Sequence, residues 1–308
     1  MSTTADLRPH RGRFAPSPTG PLHLGSLVAA MGSYLQSRHH GGEWLLRIED
    51  LDSPREVEGA SGWIINSLES HGFEWDQEIT WQSERSKLYE RALMHLGKTG
   101  RLFACRCSRR TLRESGSAGR GTPAYPGTCR HLGLRDQSGM SLRFLTRPGD
   151  VCFEDALQGR ICEDVARECG DFVVRRKDGL FAYQLAVVVD DASQMIGEVV
   201  RGCDLLESTP RQIQLQQALD LPAPAYIHLP LVVARNDEKI SKQNGAAGLD
   251  DARALGNLIA AHRLLGQEPA KEKDFDSVAD FWAWAVPRWD LKPLLGRRKI
   301  AAAGAEVN

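Results

Sequence analysis

The chain has 308 residues, of which 42% are apolar and 26% charged, and its 39 Lys and Arg nearly balance its 40 Asp and Glu. This is globular composition, and it excludes long disorder, collagen-like repeats and disulfide-stapled miniproteins. A formal net charge of −1 gives no overall basic field, so any nucleic acid must bind to local patches.

Hydropathy and cysteine content point to a cytoplasmic protein without a membrane segment. The N-terminus is polar, and the apolar run LAVVV is far shorter than the ~20 residues that span a bilayer. Seven cysteines, an odd number in a chain without a secretion signal, argue against a disulfide framework. Some of these cysteines are therefore candidates for metal binding.

The first third of the chain predicts alternating strands and helices. A strand at 13–15 precedes a Pro- and Gly-rich loop and a helix beginning near Ser26, and a strand at 43–48 follows. Apolar spacing predicts helices at 57–71 and 83–99. Strand, glycine-containing turn and helix N-terminus together are typical of a nucleotide-phosphate site in an α/β sheet.

The sequence of the rest of the chain predicts that the alternation of strands and helices is interrupted and then resumes. From residue 103 the sequence is rich in Arg, Gly and Ser, and a loop is expected at 115–122. Later elements are predicted as strands at 141–146, 171–175 and 184–190, a helix at 209–219, a polar loop after 234, and helical sequence to 265. The run at 184–190 reads as a buried parallel strand that ends in Asp190 and Asp191, which either cap the next turn or serve a site.

Two motifs carry the chemistry. In the loop 16–26, Gly20 and Gly25 allow close backbone approach, and His23 lies beside a helix N-terminus that suits phosphate. In KISKQ at 239–243, Lys239 and Lys242 flank Ser241 and can hold a pyrophosphate as point charges. The alternatives are an incidental Pro/Gly turn and a solvated basic turn, but the pair is more specific than either motif.

These residues resemble those of a known family. PLHLGS at 21–26 resembles the HIGH motif, and KISKQ the KMSKS motif, of class I aminoacyl-tRNA synthetases. The stretches RFAPSPTG from Arg13, LRIEDLD from Leu46 and RGCDLLEST from Arg201 are similar to the glutamyl branch, and the resemblance spans roughly residues 11–245. The closest resemblance is to its glutamyl-Q group, short paralogues without an anticodon-binding domain.

Two positions depart from the family pattern. Ser26 stands where the HIGH motif has a second His, and Cys203 stands where the full-length enzymes have Glu. Arg201 and Asp204 are therefore carried over, but position 203 is not.

The resemblance implies the following site. The catalytic residues are His23, Lys239 and Lys242, and the ATP-binding residues are Pro16, His23, Gly25, Ser26, Lys239, Ser241 and Lys242. The glutamate-binding residues are Arg13, Ser17, Glu49, Tyr183 and Arg201. The chemistry agrees, because guanidinium groups bind carboxylates, a carboxylate binds an ammonium, and a phenol donates a hydrogen bond. Which arginine takes which carboxylate stays open.

A structural zinc ion is expected in the segment that interrupts the fold. Cys105, Cys107 and Cys129 supply three soft ligands. His131 is the stronger fourth candidate on chemistry alone, whereas the resemblance favours Tyr125. The alternative is a group of reduced structural cysteines. Burial is expected for the other cysteines, which are Cys152, Cys162, Cys169 and Cys203.

Two further groups of residues have alternative interpretations. The arginines crowding the same segment either contact RNA phosphates or form a solvated face; they are Arg106, Arg109, Arg110, Arg113, Arg120 and Arg130. Trp282, Trp284 and Trp289 are expected to pack the C-terminal part onto the body rather than to stack on bases.

The sequence thus predicts an α/β, Rossmann-type class I synthetase catalytic domain with a zinc-binding insert and a small helical C-terminal part. The expected units are 1–102 and 183–235 for the two catalytic halves, 103–182 for the insert, and 236–308 for the KISKQ loop and helical region. The resemblance implies a monomer that uses ATP with Mg²⁺ to activate L-glutamate and transfers it to queuosine in the anticodon of tRNA(Asp). The alternatives are a truncated or non-discriminating glutamyl-tRNA synthetase that charges a tRNA 3′ end, and a nonenzymatic zinc- and RNA-binding module.

Overall fold

A computed structural model describes residues 10–114, 124–234 and 248–302. Lys239, Ser241 and Lys242 of the KISKQ motif, together with Arg120, lie outside the described residues. Within the described part of the chain, no helix is both long and apolar enough to cross a membrane.

Strands and helices alternate along much of the chain. The strands described are β1 (Arg11–Phe14), β2 (Glu43–Ile48), β3 (Thr80–Trp81), β4 (Leu102–Cys105), β5 (Ser141–Phe144), β6 (Val151–Asp155), β7 (Gly159–Glu163), β8 (Phe172–Arg175), β9 (Glu198–Gly202), β10 (Ala225–Leu229), β11 (Leu231–Val233) and β12 (Lys299–Ala301). The α-helices described are α1 (Leu24–His39), α2 (Ala60–Ser70), α3 (Ser86–Lys98), α4 (Arg109–Glu114), α5 (Val165–Glu168), α6 (Tyr183–Ser193), α7 (Thr209–Ala218), α8 (Ala254–Leu264) and α9 (Val278–Ala285).

Two β-α-β units of parallel strands form the centre of the fold. Strand β1 runs through α1 to its parallel neighbour β2, and β9 runs through α7 to its parallel neighbour β10. The two units meet where the backbone N–H of Gly197, just before β9, donates to the carbonyl of Arg11 in β1 at 3.0 Å. The carboxyl ends of β1 and β9, which carry Arg13 and Arg201, therefore lie side by side.

The other strands extend this centre or form smaller sheets. The β9 unit continues in the order β7-β6-β10-β9, in which β6 and β7 are antiparallel. Strands β4, β5 and β8 form an antiparallel sheet, which begins at Leu102 and otherwise lies within the expected insert, 103–182. Strand β11 pairs in parallel with β12.

Helix α1 lies in the core, with eleven of its 16 residues buried. It packs closely on β10 at Gly32, where an added Cβ would lie 2.5 Å from Cδ1 of Leu229. A larger residue here would force the buried side chain of Leu229 to shift, so the glycine allows the helix and the strand to pack closely.

The C-terminal aromatic segment packs on α1, as predicted. The rings of Trp282 and Tyr34 lie 4.7 Å apart, and Nε1 of Trp289 donates to Oε1 of Gln36 at 2.7 Å. Both indole rings are buried, so they contribute to the core.

One predicted strand was wrong. Residues 184–190 lie in the helix α6, and Leu185–Asp191 are buried without interruption. A short apolar run that is buried on all sides has no period to distinguish a helix from a strand. Asp190 and Asp191 therefore do not end a strand but lie in the last turns of a buried helix.

The expectation for one cysteine pair was also wrong. Cys152 and Cys162 are exposed and joined by a disulfide, since they face each other across the antiparallel pair β6 and β7. Sequence separation alone gave no sign of this, because the register of a hairpin decides which residues face each other. Cys169 and Cys203 are half-buried.

Candidate active site

A cavity of about 440 Å³ opens at the N-terminus of α1. Pro16, His23, Gly25 and Ser26 line it, together with the turn between β10 and β11. The structure thus brings together the four described residues of the expected ATP site. Backbone N–H groups at a helix N-terminus have no intrahelical partner, and they suit an anionic ligand.

His23 caps α1, and the cap fixes the state of its ring. Nδ1 of His23 accepts a hydrogen bond from the backbone N–H of Ser26 at 3.2 Å, and the hydroxyl of Ser26 accepts from the backbone N–H of His23 at 2.7 Å. Because Nδ1 accepts, a neutral His23 ring carries its proton on Nε2. His23 can therefore present an N–H donor beside a helix N-terminus. Ser26, which departs from the HIGH pattern, completes this reciprocal cap.

A second cavity of about 610 Å³ adjoins the first, and both are lined by Ser17 and Gly202. Its lining includes every residue expected to bind glutamate, namely Arg13, Ser17, Glu49, Tyr183 and Arg201. These residues come from β1, the loop after it, the end of β2, the start of α6 and β9. One pocket therefore presents two guanidinium groups, a carboxylate and a phenol.

Arg13 is held from below by α6. Its Nε donates to Oδ1 of Asp191 at 3.1 Å, and Nη2 of Arg47 donates to the same oxygen at 2.8 Å. All three side chains are buried, and the two guanidinium groups keep the pKa of Asp191 below its ordinary value although burial alone would raise it. Asp191 therefore stays ionised and holds Arg13 at the floor of the pocket.

Glu49 is the buried carboxylate of the pocket. Burial raises its pKa to about 7, and the neighbouring Arg47 and Arg13 only partly offset that effect. Nη2 of Arg47 lies 3.4 Å from its Oε1. Near neutral pH such a group is poised to ionise when a cation arrives.

Arg201 and Tyr183 supply the remaining polar groups. Nη2 of Arg201 donates to Oγ1 of Thr209 at 2.8 Å, whereas its buried Nη1 has no hydrogen-bond partner in the described part of the chain. Burial raises the pKa of Tyr183, so its hydroxyl stays protonated and can donate. Both features suit a pocket that binds carboxylates.

Sequence reasoning named Asp190 and Asp191 as possible site residues but missed the other polar side chains that support the pocket. Asp190 accepts from Gln82, Arg85 and Tyr89 at 2.6–2.8 Å. Arg47 is fully buried beside it. The available signal was a charged residue within a strongly apolar strand, as for Arg47 in the run EWLLRI.

The three candidate metal-binding cysteines cluster in space. The sulfur atoms of Cys105, Cys107 and Cys129 lie within 4.8 Å of one another, and those of Cys107 and Cys129 are 3.6 Å apart. The hydroxyl oxygen of Tyr125 lies 3.5 Å from Sγ of Cys105. A tetrahedral zinc ion with Zn–S of ~2.3 Å and Zn–O of ~2.0 Å would place two sulfurs about 3.8 Å apart and a sulfur and an oxygen about 3.5 Å apart. The donor set therefore fits zinc.

The surroundings of this cluster act differently on its members, since burial raises the pKa values of Tyr125 and of Cys107, the latter to about 11. Burial alone raises the pKa of Cys105, but contacts with Tyr125 and Arg143 outweigh it and lower this pKa to about 7. The hydroxyl oxygen of Tyr125 accepts from the backbone N–H of Cys129 at 2.7 Å, and the Arg143 guanidinium lies 3.9 Å from the centre of its ring. His131, the competing fourth ligand, is exposed.

Three of the six candidate RNA-binding arginines in this segment have described side chains, and their surroundings differ. Arg130 is bound to buried Asp171 through two hydrogen bonds, at 2.8 and 2.9 Å, and Arg110 pairs with Glu114 on α4. Arg106 is exposed. Arg130 therefore joins this segment to Asp171, just before β8.

Comparison with known proteins identifies the family. Residues 10–281 match the family model of the catalytic domain of class I tRNA synthetases (E and Q). A protein of Dechloromonas aromatica (strain RCB) is 50% identical over 283 residues, which cover 91% of this chain and 94% of that protein. One of Cupriavidus metallidurans is 51% identical over 286 residues, 91% of each. Both relatives are described as glutamyl-Q tRNA(Asp) synthetase. The chain belongs to the glutamyl-Q tRNA(Asp) synthetase family.

A solved structure extends the comparison. A glutamate tRNA ligase from Elizabethkingia meningosepticum, in complex with its amino acid, superposes with a TM-score of 0.80 at 25% identity. The alignment covers 96% of the present chain and 67% of that ligase. The mixed α/β fold is therefore that of a class I tRNA synthetase catalytic domain.

The second departure from the family pattern also has a place in this fold. Sγ of Cys203 lies 3.3 Å from the carbonyl oxygen of His228, to which it donates. Burial and the nearby Asp155 raise its pKa to about 12. Cys203 is therefore a neutral thiol that faces the backbone of β10.

Proposed function

We propose that this protein activates L-glutamate with ATP and transfers the glutamyl group to the queuosine base in the anticodon of tRNA(Asp). The observation that carries the proposal is the pair of adjoining cavities. One presents two guanidinium groups and a carboxylate, and the other opens on a helix N-terminus.

Glutamate matches the charges of the larger cavity. Its two carboxylates need cations, which Arg13 and Arg201 supply, and its ammonium needs an anion, which Glu49 supplies once ionised. Tyr183 and Ser17 add hydroxyl groups to the lining. Bound in this way, the substrate would have one carboxylate close to the smaller cavity, where ATP would lie with Mg²⁺.

Activation requires no general base, because the nucleophile is already a carboxylate. A glutamate oxygen attacks the α-phosphorus of ATP, an O–P bond forms, and the bond to pyrophosphate breaks. The N-terminus of α1 and the Nε2–H of His23 would stabilise the charge that develops on the phosphate oxygens. We assign to Lys239 and Lys242 the role of holding the departing pyrophosphate.

In the second step a hydroxyl of the tRNA attacks the activated carbonyl, an ester forms and AMP leaves. The curated relatives support tRNA(Asp) as the acceptor, since their names state it. The hydroxyl would belong to the cyclopentenediol of queuosine, as in the glutamyl-Q group that the sequence resembles.

A label-mapping experiment tests this proposal against charging of a tRNA 3′ end. Queuosine-containing tRNA(Asp) is incubated with labelled glutamate and ATP, digested with nuclease, and the label is located. We expect label on the anticodon fragment and none on tRNA(Asp) that lacks queuosine. Label on the 3′-terminal adenosine would contradict the acceptor assignment, and absence of glutamate-dependent pyrophosphate exchange would contradict the enzyme itself.

We propose in addition that one structural zinc ion is held by Cys105, Cys107, Tyr125 and Cys129. The interatomic distances in this group support it. The ion would link the end of β4 to the 125–129 turn and so order this part of the insert. Metal analysis of protein purified without chelator tests the proposal, and protein lacking zinc would contradict it.

A further inference from the structure

A buried polar triad that includes Arg201 lies on three adjacent strands. Asp155 ends β6, His228 lies in β10 and Arg201 lies in β9, and His228 and Arg201 are register partners. Partners in a parallel pair project to the same face of a sheet. All three side chains are at least nine-tenths buried.

The hydrogen bonds of the triad run in one direction. Nε of Arg201 donates to Nε2 of His228 at 3.0 Å, and Nδ1 of His228 lies 2.6 Å from Oδ2 of Asp155. A guanidinium can only donate, so Nε2 of His228 must be the acceptor, and its proton must lie on Nδ1. This Nδ1–H donates a hydrogen bond to Asp155. The contacts therefore fix both the tautomer and the neutral state of His228.

Asp155 is itself held in place. Its Oδ1 accepts from the backbone N–H groups of Leu157 and Gln158 at 3.0 and 2.8 Å. These contacts and the one to His228 keep the pKa of Asp155 below its ordinary value, although burial opposes them. Burial and Arg201 lower the pKa of His228 in spite of Asp155. An ionised carboxylate, a neutral imidazole and a guanidinium therefore follow one another.

We propose that Asp155 and His228 are positioning residues that set the plane of the Arg201 guanidinium for a substrate carboxylate. With Nε bound by His228 and Nη2 by Thr209, two sides of the group are fixed, and Nη1 is left without a partner in the described residues. A guanidinium fixed in this way loses little rotational freedom when a carboxylate binds. The inference rests on the proposed glutamate pocket, since it concerns how one of its arginines is oriented.

Substitutions of His228 separate positioning from mere packing. His228→Phe keeps a ring of similar size but removes the acceptor, whereas His228→Gln keeps an acceptor at about the reach of Nε2. In glutamate-dependent pyrophosphate exchange we expect His228→Phe to raise the KM for glutamate about 10-fold to 100-fold, with the KM for ATP unchanged. His228→Gln should recover most of this loss. His71→Phe is the matched control, because it replaces another buried histidine, bonded to the carbonyl of Ser67, and should leave the KM for glutamate unchanged.

A spectroscopic measurement tests the triad without relying on activity. In wild-type protein labelled with ¹⁵N-histidine, the signals lost in His228→Gln should show protonated Nδ1 and unprotonated Nε2 at neutral pH. An Nε2–H tautomer or an imidazolium would overturn the inference, even if His228→Phe fails to fold.

The kinetic outcomes distinguish this inference from the proposed function. Wild-type protein without glutamate-dependent exchange would contradict the proposed function. It would also contradict glutamate as the substrate that Arg201 is oriented to bind. Normal wild-type exchange combined with an unchanged KM for glutamate in His228→Phe would overturn the inference alone. Equal losses in His228→Phe and His228→Gln would overturn it as well.

Discussion

Arg13 and Asp191 form a buried ion pair across 178 positions of sequence, with Nε of Arg13 3.1 Å from Oδ1 of Asp191. The pair joins the first strand of the fold to the end of α6. Asp191 also binds Arg47 of β2, so one carboxylate ties α6 to both strands of the first β-α-β unit and holds an arginine of the candidate glutamate pocket.

Removing this carboxylate should destabilise the fold strongly. Asp191→Asn removes the anion bound to buried Arg13 and one of the anions beside buried Arg47, and loss of one partner of a buried ion pair typically costs about 3–5 kcal/mol. Urea unfolding measures the free energy of unfolding. The control is Glu114→Gln, which breaks the exposed Arg110–Glu114 pair and should change stability by less than about 0.5 kcal/mol. Equal changes in the free energy of unfolding would show that the buried pair contributes no more to stability than the exposed pair.

Glutamate use should depend on the ionisation of Glu49. Its pKa of about 7 in the free protein means that the carboxylate becomes available to a substrate ammonium as pH rises through neutrality. We expect kcat/KM for glutamate to rise about tenfold between pH 6 and pH 8 and then to level off.

Pyrophosphate exchange at limiting glutamate measures this pH profile. Glu49→Gln should lower kcat/KM for glutamate and flatten the profile. The stability of the folded protein should change with pH in the opposite direction. Because the folded-state pKa is raised, the stability contribution of this group is complete below its ordinary pKa and is lost as pH rises through 7. A pH profile that is unchanged in Glu49→Gln would show that Glu49 does not bind the substrate ammonium.

Activation should depend on the donors that face the phosphates. His23→Ala and Lys242→Ala should each reduce the rate of pyrophosphate exchange by about 10² to 10³, as expected for the loss of one donor to developing charge. His39→Ala is a matched control for His23, since His39 is an exposed residue at the opposite end of α1. Exchange at the wild-type rate in Lys242→Ala would show that the KISKQ assignment is wrong.

Zinc content should distinguish the two candidates for the fourth ligand. Tyr125→Phe removes the oxygen that lies 3.5 Å from Sγ of Cys105 and should weaken zinc binding, whereas His131→Ala removes an exposed ring and should not. Metal analysis after dialysis against a weak chelator measures both. Full zinc occupancy in Tyr125→Phe together with loss in His131→Ala would move the ligand to His131.

The sequence predicted best what local chemistry determines. The strand at Glu43–Ile48 was predicted at its exact limits, and the helices α2, α3 and α7 lie within the predicted ranges. The candidate glutamate residues meet in one cavity because four of them lie at the carboxyl end of a strand or at a helix start, and Ser17 lies in the loop after β1, where α/β folds bring loops together. Their individual roles stay predictions, as do the domain limits, the monomeric state and the cytoplasmic location.

What the sequence could not predict depends on contacts between distant segments. Whether Leu185–Asp191 form a strand or a helix is decided by neighbours that bury the segment on all sides. The roles of Asp191, His228 and Asp155 depend on which strands are adjacent, and local sequence does not encode strand order. Ser26 was noted as a departure from the motif, but its part in the cap with His23 required coordinates.

The bond between Trp289 and Gln36 has a consequence for the order of folding. It spans 253 positions and joins α1 to the aromatic segment near the end of the described chain. Synthesis proceeds from the N-terminus, and contacts between distant residues form only after a long loop has closed. The helix that begins beside His23 therefore leaves the ribosome well before the aromatic segment that covers it.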